Sequence, residues 1–256
     1  MSKRAACAAA VAVGLWFVPA LAGAAAASPP PADAAQASGV QPPSSAPTPL
    51  DRYLKNLKTL RVTFLQTVAD AHGTEVGRST GTLIVERPGK FSWDIHPQSV
   101  AQDANSGAGQ SAGAPQAAAA PGSGQLMVSD GRNLWYLDRD LQQVTVRPVT
   151  AALSATPAML LSGTVDVHEH FTESIVGMRE GLNWVYVEPR STDADFKSAL
   201  FGFDPKGTLQ RMILEDKLGQ VVTIIFQDVA VNVSVPDKDL TFTPPPGADV
   251  IGTPAQ

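Results

Sequence analysis

The stretch Ser79–Ile95, STGTLIVERPGKFSWDI, contains the pattern that decides the fold. Its first half is rich in Thr, Ile and Val, which favour strands, and it ends at the turn-forming pair Pro88-Gly89. Beyond that turn, Phe91 and Trp93 alternate with polar residues, as they do on a strand with one apolar face. Two such segments around a tight turn predict an antiparallel hairpin.

The same pattern continues on both sides of this hairpin. From Leu60 to Val68 every second residue is Leu, Val, Phe, Gln or Val, so one face is largely apolar, which predicts another strand. Asp130-Gly131 is a hairpin signal between two further segments. Additional strand-like segments separated by turn residues are Leu126–Asp130, Leu134–Leu137, Leu182–Val187, Ala199–Phe203, Leu209–Leu214 and Val221–Phe226. Strands joined by short turns predict an antiparallel meander.

Two short segments have helical rather than strand spacing. In Leu50–Leu57 the apolar residues recur every three or four positions, with Thr48 placed to cap the helix. In Ala158–Leu161 a short apolar helix is expected between the cap Thr156 and a stop at Gly163. The sequence therefore predicts a mainly β fold with a few helices covering it. A strongly curved antiparallel sheet leaves a hollow that suits an apolar ligand.

Residues 1–27 have the layout of a secretory signal peptide. Lys3 and Arg4 precede a short apolar run, and small residues allow cleavage after Ala22 or after Ala27. A retained membrane anchor is the alternative, but the run is short for a span and no positive stop follows it. The chain carries a net charge of −5, which argues against nucleic acid and anionic lipid surfaces as partners. We therefore expect an acidic periplasmic protein.

Two segments have a composition that cannot build a packed core. Residues 28–49 contain seven prolines and predict an extended, disordered linker. Residues 99–124 are mostly Ala, Gly, Ser and Gln and predict a long disordered loop between two strands. The expected organisation is therefore a single domain over 50–251, interrupted by this loop, with a C-terminal tail at 252–256.

Catalytic motifs are absent from the sequence: it contains no G-x-S-x-G, no phosphate loop and no H-E-x-x-H. His168 and His170 would share a face if they lay in a strand, so they are either half of a metal site or part of a solvated strand edge. Two carboxylate pairs lie among turn-forming residues and are interpreted as solvated loops, namely Asp193/Asp195 and Asp237/Asp239. Nothing here favours an enzyme.

Five short sequence strings occur in a fixed order along the chain. Each string alone is a weak family signal, but the five together are informative. They are FLQTVADAHG, STGTLIVERPGKFSWD, LMVSDGRNLWYLDRDLQQVTV, TPAMLL and FTPPPGADVI. With the signal peptide, and without a lipid-attachment cysteine, the chain resembles the LolA family of periplasmic outer-membrane lipoprotein carriers. The resemblance extends from Leu50 to Ile251, except for the loop at 99–124.

The resemblance implies an incomplete antiparallel β-barrel covered by a helical lid, enclosing a hydrophobic cavity for lipoprotein acyl chains. It implies a chaperone without catalysis or cofactor, whose cargo is triacylated lipoproteins. The inner-membrane Lol ABC exporter would supply the cargo, and the outer-membrane receptor LolB would accept it. We expect a monomer. The alternatives are a lipid-sensing or regulatory half-barrel that transfers no cargo, and a periplasmic hydrolase.

The resemblance also implies a latch between barrel and lid at the arginine of the R-P motif. This residue is Arg87, and the family's partners correspond to Leu54 in the first helix and Leu161 in the later one. Without the resemblance, Arg87 would be interpreted as a rim arginine paired with a carboxylate.

The hydrophobic cavity is expected to be lined by apolar residues of both the strands and the lid. These residues are Phe64, Leu83, Val85, Phe91, Trp93, Met159 and Leu160. Alternation by itself favours Phe91 and Trp93 as ordinary core residues, so a lining role, a docking role and a core role all remain open for them.

Overall fold

The computed structural model describes residues 47–98, 123–149, 157–164, 166–192, 194 and 196–255. The expected signal peptide, the linker up to residue 46, the loop from 99 to 122, the cap Thr156 and the pair Asp193/Asp195 lie outside these residues. No helix in the described part of the chain is long and apolar enough to cross a membrane.

The described strands form one sheet of twelve strands. In chain order they are β1 Thr59–Ala69, β2 Glu75–Glu86, β3 Lys90–Gln98, β4 Gln125–Asp130, β5 Asn133–Asp138, β6 Gln143–Pro148, β7 Phe171–Arg179, β8 Leu182–Pro189, β9 Phe196–Phe203, β10 Leu209–Asp216, β11 Val221–Val231 and β12 Asp249–Ile251. Their order in the sheet is β12-β6-β5-β4-β3-β2-β1-β11-β10-β9-β8-β7. The sheet does not close, because β12 and β7 lie at its two ends, and the predicted incomplete barrel is confirmed.

Strand β1 joins the two halves of the sheet. It pairs antiparallel with β2 on one side and with β11 on the other, so the first and last long strands meet in the middle. Its residues alternate between buried and half-buried along its whole length, as the sequence predicts for a strand with one apolar face. The two antiparallel meanders, β1 to β6 and β7 to β11, therefore share one apolar surface.

Helix α1, Pro49–Asn56, begins with a capping box. The Thr48 hydroxyl accepts the Asp51 N–H at 3.0 Å, and the Asp51 carboxylate accepts the Thr48 N–H at 2.8 Å. This satisfies two backbone donors that the first turn leaves free. Thr48 and Pro49 therefore belong to the helix start, although the expected linker extended to residue 49. The helix buries Leu50 and Leu54 against the sheet.

Helix α2, Pro157–Ser162, covers the same apolar surface. Each of Ala158, Met159, Leu160 and Leu161 is no more than 2% exposed. A helix of six residues has little stability of its own, so packing against the sheet holds it in place.

The strand interpretation of His168 and His170 is wrong. Both residues lie in the short helix α3, Val167–His170, because the Asp166 carboxylate accepts the His168 and Glu169 N–H groups and caps it. The strand β7, which follows directly, was not predicted from the sequence.

One carboxylate near the C-terminal end of the chain also differs from the expectations. Asp239 lies in a short 3-10 turn and pairs with Arg61 of β1, so this carboxylate is not simply a solvated loop residue. Strand β12, which precedes the expected tail at 252–256, runs parallel to β6, and within the tail the Ala255 N–H donates to the Asn133 side chain at 2.6 Å.

Gly81 of β2 leaves room for the ring of Phe64, its cross-strand partner on β1. A Cβ at this position would overlap the carbonyl oxygen of Asp94 and would lie 2.6 Å from the Phe64 ring. At Gly77, four residues earlier on β2, an added Cβ would make only ordinary van der Waals contact, since its nearest neighbour is Val68 Cβ at 3.7 Å.

We expect Gly81→Ala to lower the free energy of unfolding by about 2–3 kcal/mol, because the added methyl overpacks the strand pair. The matched control Gly77→Ala should change it by no more than ~1 kcal/mol, since Ala fits there and Gly weakens a strand. Urea denaturation followed by tryptophan fluorescence measures both values. An equal loss of unfolding free energy in Gly81→Ala and Gly77→Ala would contradict the close approach of Asp94 and Phe64 to Gly81.

Candidate functional site

The structure brings all seven of the expected cavity residues into one apolar cluster. Each of them is at most 8% exposed, and all belong to the same buried core. Five come from strands β1, β2 and β3, and two come from helix α2: Phe64, Leu83, Val85, Phe91, Trp93, Met159 and Leu160. The cluster lies between the sheet and the helices, so helix side chains pack against the inner surface of the sheet.

A surface cleft of about 180 Å³ lies elsewhere in the described structure. It is lined by Leu137, Arg139, Gln142, Pro245, Pro246 and Ala248. None of these residues belongs to the apolar cluster, so this cleft is separate from it.

Aromatic rings connect the strands and the first helix within the cluster. Phe64 and Trp93 meet edge to face, with ring centroids 6.1 Å apart and planes at 86°. Tyr53 of α1 contacts Phe203 of β9, with centroids 5.4 Å apart. Both centroid separations lie in the range in which two aromatic rings attract each other.

Two hydrogen-bond donors in this interior have no acceptor among the described residues. They are the Tyr53 hydroxyl and the Trp93 indole Nε1. Burial raises the pKa of the Tyr53 hydroxyl, which therefore stays protonated and remains a donor. Buried donors without a partner carry a desolvation cost of about 1–3 kcal/mol each, so an acceptor arriving in the interior would be stabilised there.

Arg87, at the end of β2, lies between the sheet and α1. Its Nη1 donates to the carbonyl oxygen of Leu54 at 3.1 Å, and this carbonyl belongs to the last turn of the helix. Burial lowers the pKa of the guanidinium, and no carboxylate among the described residues compensates it. Among the described residues Arg87 therefore has no carboxylate partner of the kind that a rim arginine would have. It donates to a helix carbonyl instead, and it keeps its charge.

The guanidinium contacts the end of α2 by packing against Gly163. It does not form a hydrogen bond to Leu161. A Cβ on Gly163 would lie 2.6 Å from Arg87 Nη2 and 2.8 Å from its Nε. The peptide bond between Arg87 and Pro88 is cis. The structure thus brings Arg87 and Leu54 together, and it places Leu161, two residues before Gly163, in the buried core.

Gly163 ends α2 in a Schellman motif. The Thr164 N–H donates to Met159 O at 3.1 Å, the Gly163 N–H donates to Leu160 O at 3.3 Å, and Gly163 has φ +71°. This left-handed conformation favours glycine, and the missing side chain leaves room for the guanidinium. The sequence marks Gly163 as a helix stop, but its contact with Arg87 could not be inferred from that signal.

The turn after Arg87 holds the same helix end. The Gly89 N–H donates to Ser162 O at 2.8 Å, and the Ser129 hydroxyl donates to Gly89 O at 2.7 Å. One hairpin turn therefore contacts α1 through Arg87 and α2 through Arg87 and Gly89. We call the contacts of Arg87 and Gly89 with these two helices the turn–lid junction.

An open antiparallel sheet with an apolar inner surface, covered by short helices that meet one hairpin turn, defines the class of lidded half-barrel proteins. The chain belongs to the LolA family. It matches the family described as "Outer membrane lipoprotein carrier protein LolA" over residues 55–103 and 118–243.

Relatives from three bacteria are similar to this chain over most of its length. An outer-membrane lipoprotein carrier protein of Dechloromonas aromatica is 36% identical, over 79% of this chain and 86% of the relative. Proteins with the same name from Nitrosospira multiformis and Methylobacillus flagellatus are each 34% identical over 79% of this chain, covering 86% and 87% of their own lengths.

We expect Gly163→Ala to lower the free energy of unfolding by about 2–4 kcal/mol, through a strained backbone and a clash with Arg87. Gly131→Ala is the matched control: Gly131 has φ +92°, but a Cβ there would meet its nearest neighbour, Lys90 Cγ, at 3.7 Å. The control should cost only the backbone strain, about 1–2 kcal/mol.

The same measurement in an Arg87→Ala background tests the contact itself. Gly163→Ala should then cost no more than Gly131→Ala, because the atoms that it displaces are gone. An unchanged penalty in this background would contradict the assigned packing of Arg87 on Gly163.

Proposed function

We propose that this protein is an outer-membrane lipoprotein carrier of the periplasm. It binds the acyl chains of lipoproteins released from the inner membrane and carries them to an outer-membrane receptor, without catalysing a reaction. The observation that carries the proposal is the apolar inner surface of an open sheet, buried beneath two short helices. Membership of the LolA family and the names of the relatives support it.

The hydrophobic effect explains why such a surface suits this cargo. Each methylene group left in water costs about 0.8 kcal/mol, so a lipid anchor with several acyl chains cannot cross an aqueous compartment uncovered. The side chains that now pack against Met159 and Leu160 would pack equally well against acyl chains. Cargo therefore competes with the helices for one apolar surface, and the helices move aside when cargo binds.

The turn–lid junction sets the balance of this competition. The hydrogen bond from Arg87 to Leu54 O holds the end of α1, and a hydrogen bond from a charged donor contributes about 1.5–3 kcal/mol. Opening the lid breaks this contact, and closing the lid restores it and favours release of the cargo. The Tyr53 hydroxyl and Trp93 Nε1 are available to donate to the carbonyl groups of the bound acyl chains.

The proposed partners follow from the family. Triacylated lipoproteins are the cargo, the inner-membrane Lol ABC exporter supplies them, and the outer-membrane receptor LolB accepts them. The carrier acts as a monomer, since one apolar interior is enough to cover one lipid anchor.

Depletion of the protein, followed by measurement of lipoproteins released from spheroplasts, tests the proposed function. Release into the medium should require the added carrier, which should co-purify with a triacylated lipoprotein in a one-to-one complex. Release that proceeds equally without the carrier would contradict the function. Acyl-chain binding without transfer to an acceptor would favour the lipid-sensing alternative.

We expect Arg87→Leu to bind cargo but to pass it to the acceptor at least ~10-fold more slowly, because lid closure loses a charged hydrogen bond. Arg132→Leu is the control, since Arg132 is an exposed arginine in the β4–β5 turn. Transfer of a labelled lipoprotein to receptor-bearing vesicles measures both rates. A normal rate in Arg87→Leu would exclude the latch role.

A further inference from the structure

Three potential metal ligands meet where α1 contacts the edge of the sheet. Asp51 lies in the first turn of α1, His168 lies in α3, and Glu173 lies in the edge strand β7. One donor atom from each of them lies within 4.8 Å of the others. His168 Nε2 is 3.2 Å from Asp51 Oδ1, and His168 Nδ1 is 4.0 Å from Glu173 Oε1.

Thr48 orients both carboxylates. Its backbone N–H donates to Asp51 Oδ2 at 2.8 Å, and its hydroxyl donates to Glu173 Oε2 at 2.5 Å. Each carboxylate therefore has one oxygen held by Thr48 and the other oxygen near the His168 ring. This arrangement matches the outer hydrogen bonds that orient carboxylate ligands in metal sites.

Glu173 is the least compensated carboxylate of the group. Its side chain is only 6% exposed, and its Oε1 has no hydrogen-bond donor among the described residues. A buried carboxylate oxygen without a donor is costly, and the neighbouring Asp51 carboxylate adds repulsion. A cation between the carboxylates would remove both costs.

We propose that Asp51, His168 and Glu173 form a binding site for a divalent transition-metal ion, with Zn²⁺ as the best match. One imidazole and two carboxylates are ligands that Zn²⁺ accepts, with water completing a four-coordinate site. Ca²⁺ and Mg²⁺ prefer six or more oxygen ligands, which two carboxylates and a histidine do not supply.

The geometry needs one adjustment to hold zinc. Donor atoms around a tetrahedral zinc ion lie about 3.4 Å apart, given bonds of about 2.0–2.1 Å. The His168 side chain is 72% exposed and can turn towards the two carboxylates, which Thr48 already holds in place. The bound ion would connect α1 to β7, in addition to the hydrogen bond between Thr48 and Glu173.

Calorimetric titration of ZnCl₂ into the untagged, chelator-treated chain tests the site. We expect one equivalent to bind, with Kd at least ~10-fold higher in Glu173→Gln and in His168→Gln. His168→Gln keeps the test valid if Glu173→Gln fails to fold, since His168 is exposed. His170→Gln is the matched control, an exposed histidine of the same helix outside the cluster, and it should leave Kd unchanged.

A spectroscopic measurement identifies the ligands independently of affinity. Co²⁺ added in place of Zn²⁺ should give the intense visible absorption of a four-coordinate site, which His168→Gln should abolish and His170→Gln should preserve. Equal Zn²⁺ binding by the native chain and both cluster variants would overturn the proposal. So would Mg²⁺ or Ca²⁺ binding as tightly as Zn²⁺.

Discussion

The structure depends on one constraint: an open sheet with an apolar inner surface must have that surface covered. Closing the sheet into a barrel would have removed its edges, but here the edges remain at β7 and β12. Two short helices cover the surface instead, and each buries nearly every apolar side chain that it carries. Since burial is non-directional, the same surface accepts any apolar partner of suitable shape, whether a helix or an acyl chain.

Directional contacts then decide how firmly the cover is held. The hairpin turn after β2 provides them, through the Arg87 guanidinium and the Gly89 N–H, to the ends of both helices. A few hydrogen bonds at helix ends contribute a few kcal/mol, whereas the apolar contacts contribute far more in total. Hydrophobic burial therefore supplies the affinity of the interior for apolar groups, and polar contacts adjust how readily the cover opens.

Local sequence patterns predicted strands that bury one face and helices that are capped by adjacent residues. Strand β1 alternates clearly, and α1 has its capping box within four residues, so both could be found from short windows. Strand β7 could not, because its apolar residues Ile175 and Met178 are 43% and 65% exposed at the sheet edge and break the alternation. Helix α3 was mistaken for a strand because His-Glu-His has period two, while its Asp166 cap overrides that pattern.

The sequence by itself determined the hairpin around Pro88-Gly89 and the helix after Thr48, because each of these is encoded in contiguous residues. It also determined the family, through five short strings that occur in order along the chain. It also singled out Arg87. Only the tertiary structure decided that the guanidinium would contact Gly163 instead of bonding to Leu161, and that Glu173 would meet Asp51 and His168. These contacts join elements that are distant along the chain. Their approach is set by the order and curvature of the whole sheet, which no local propensity encodes.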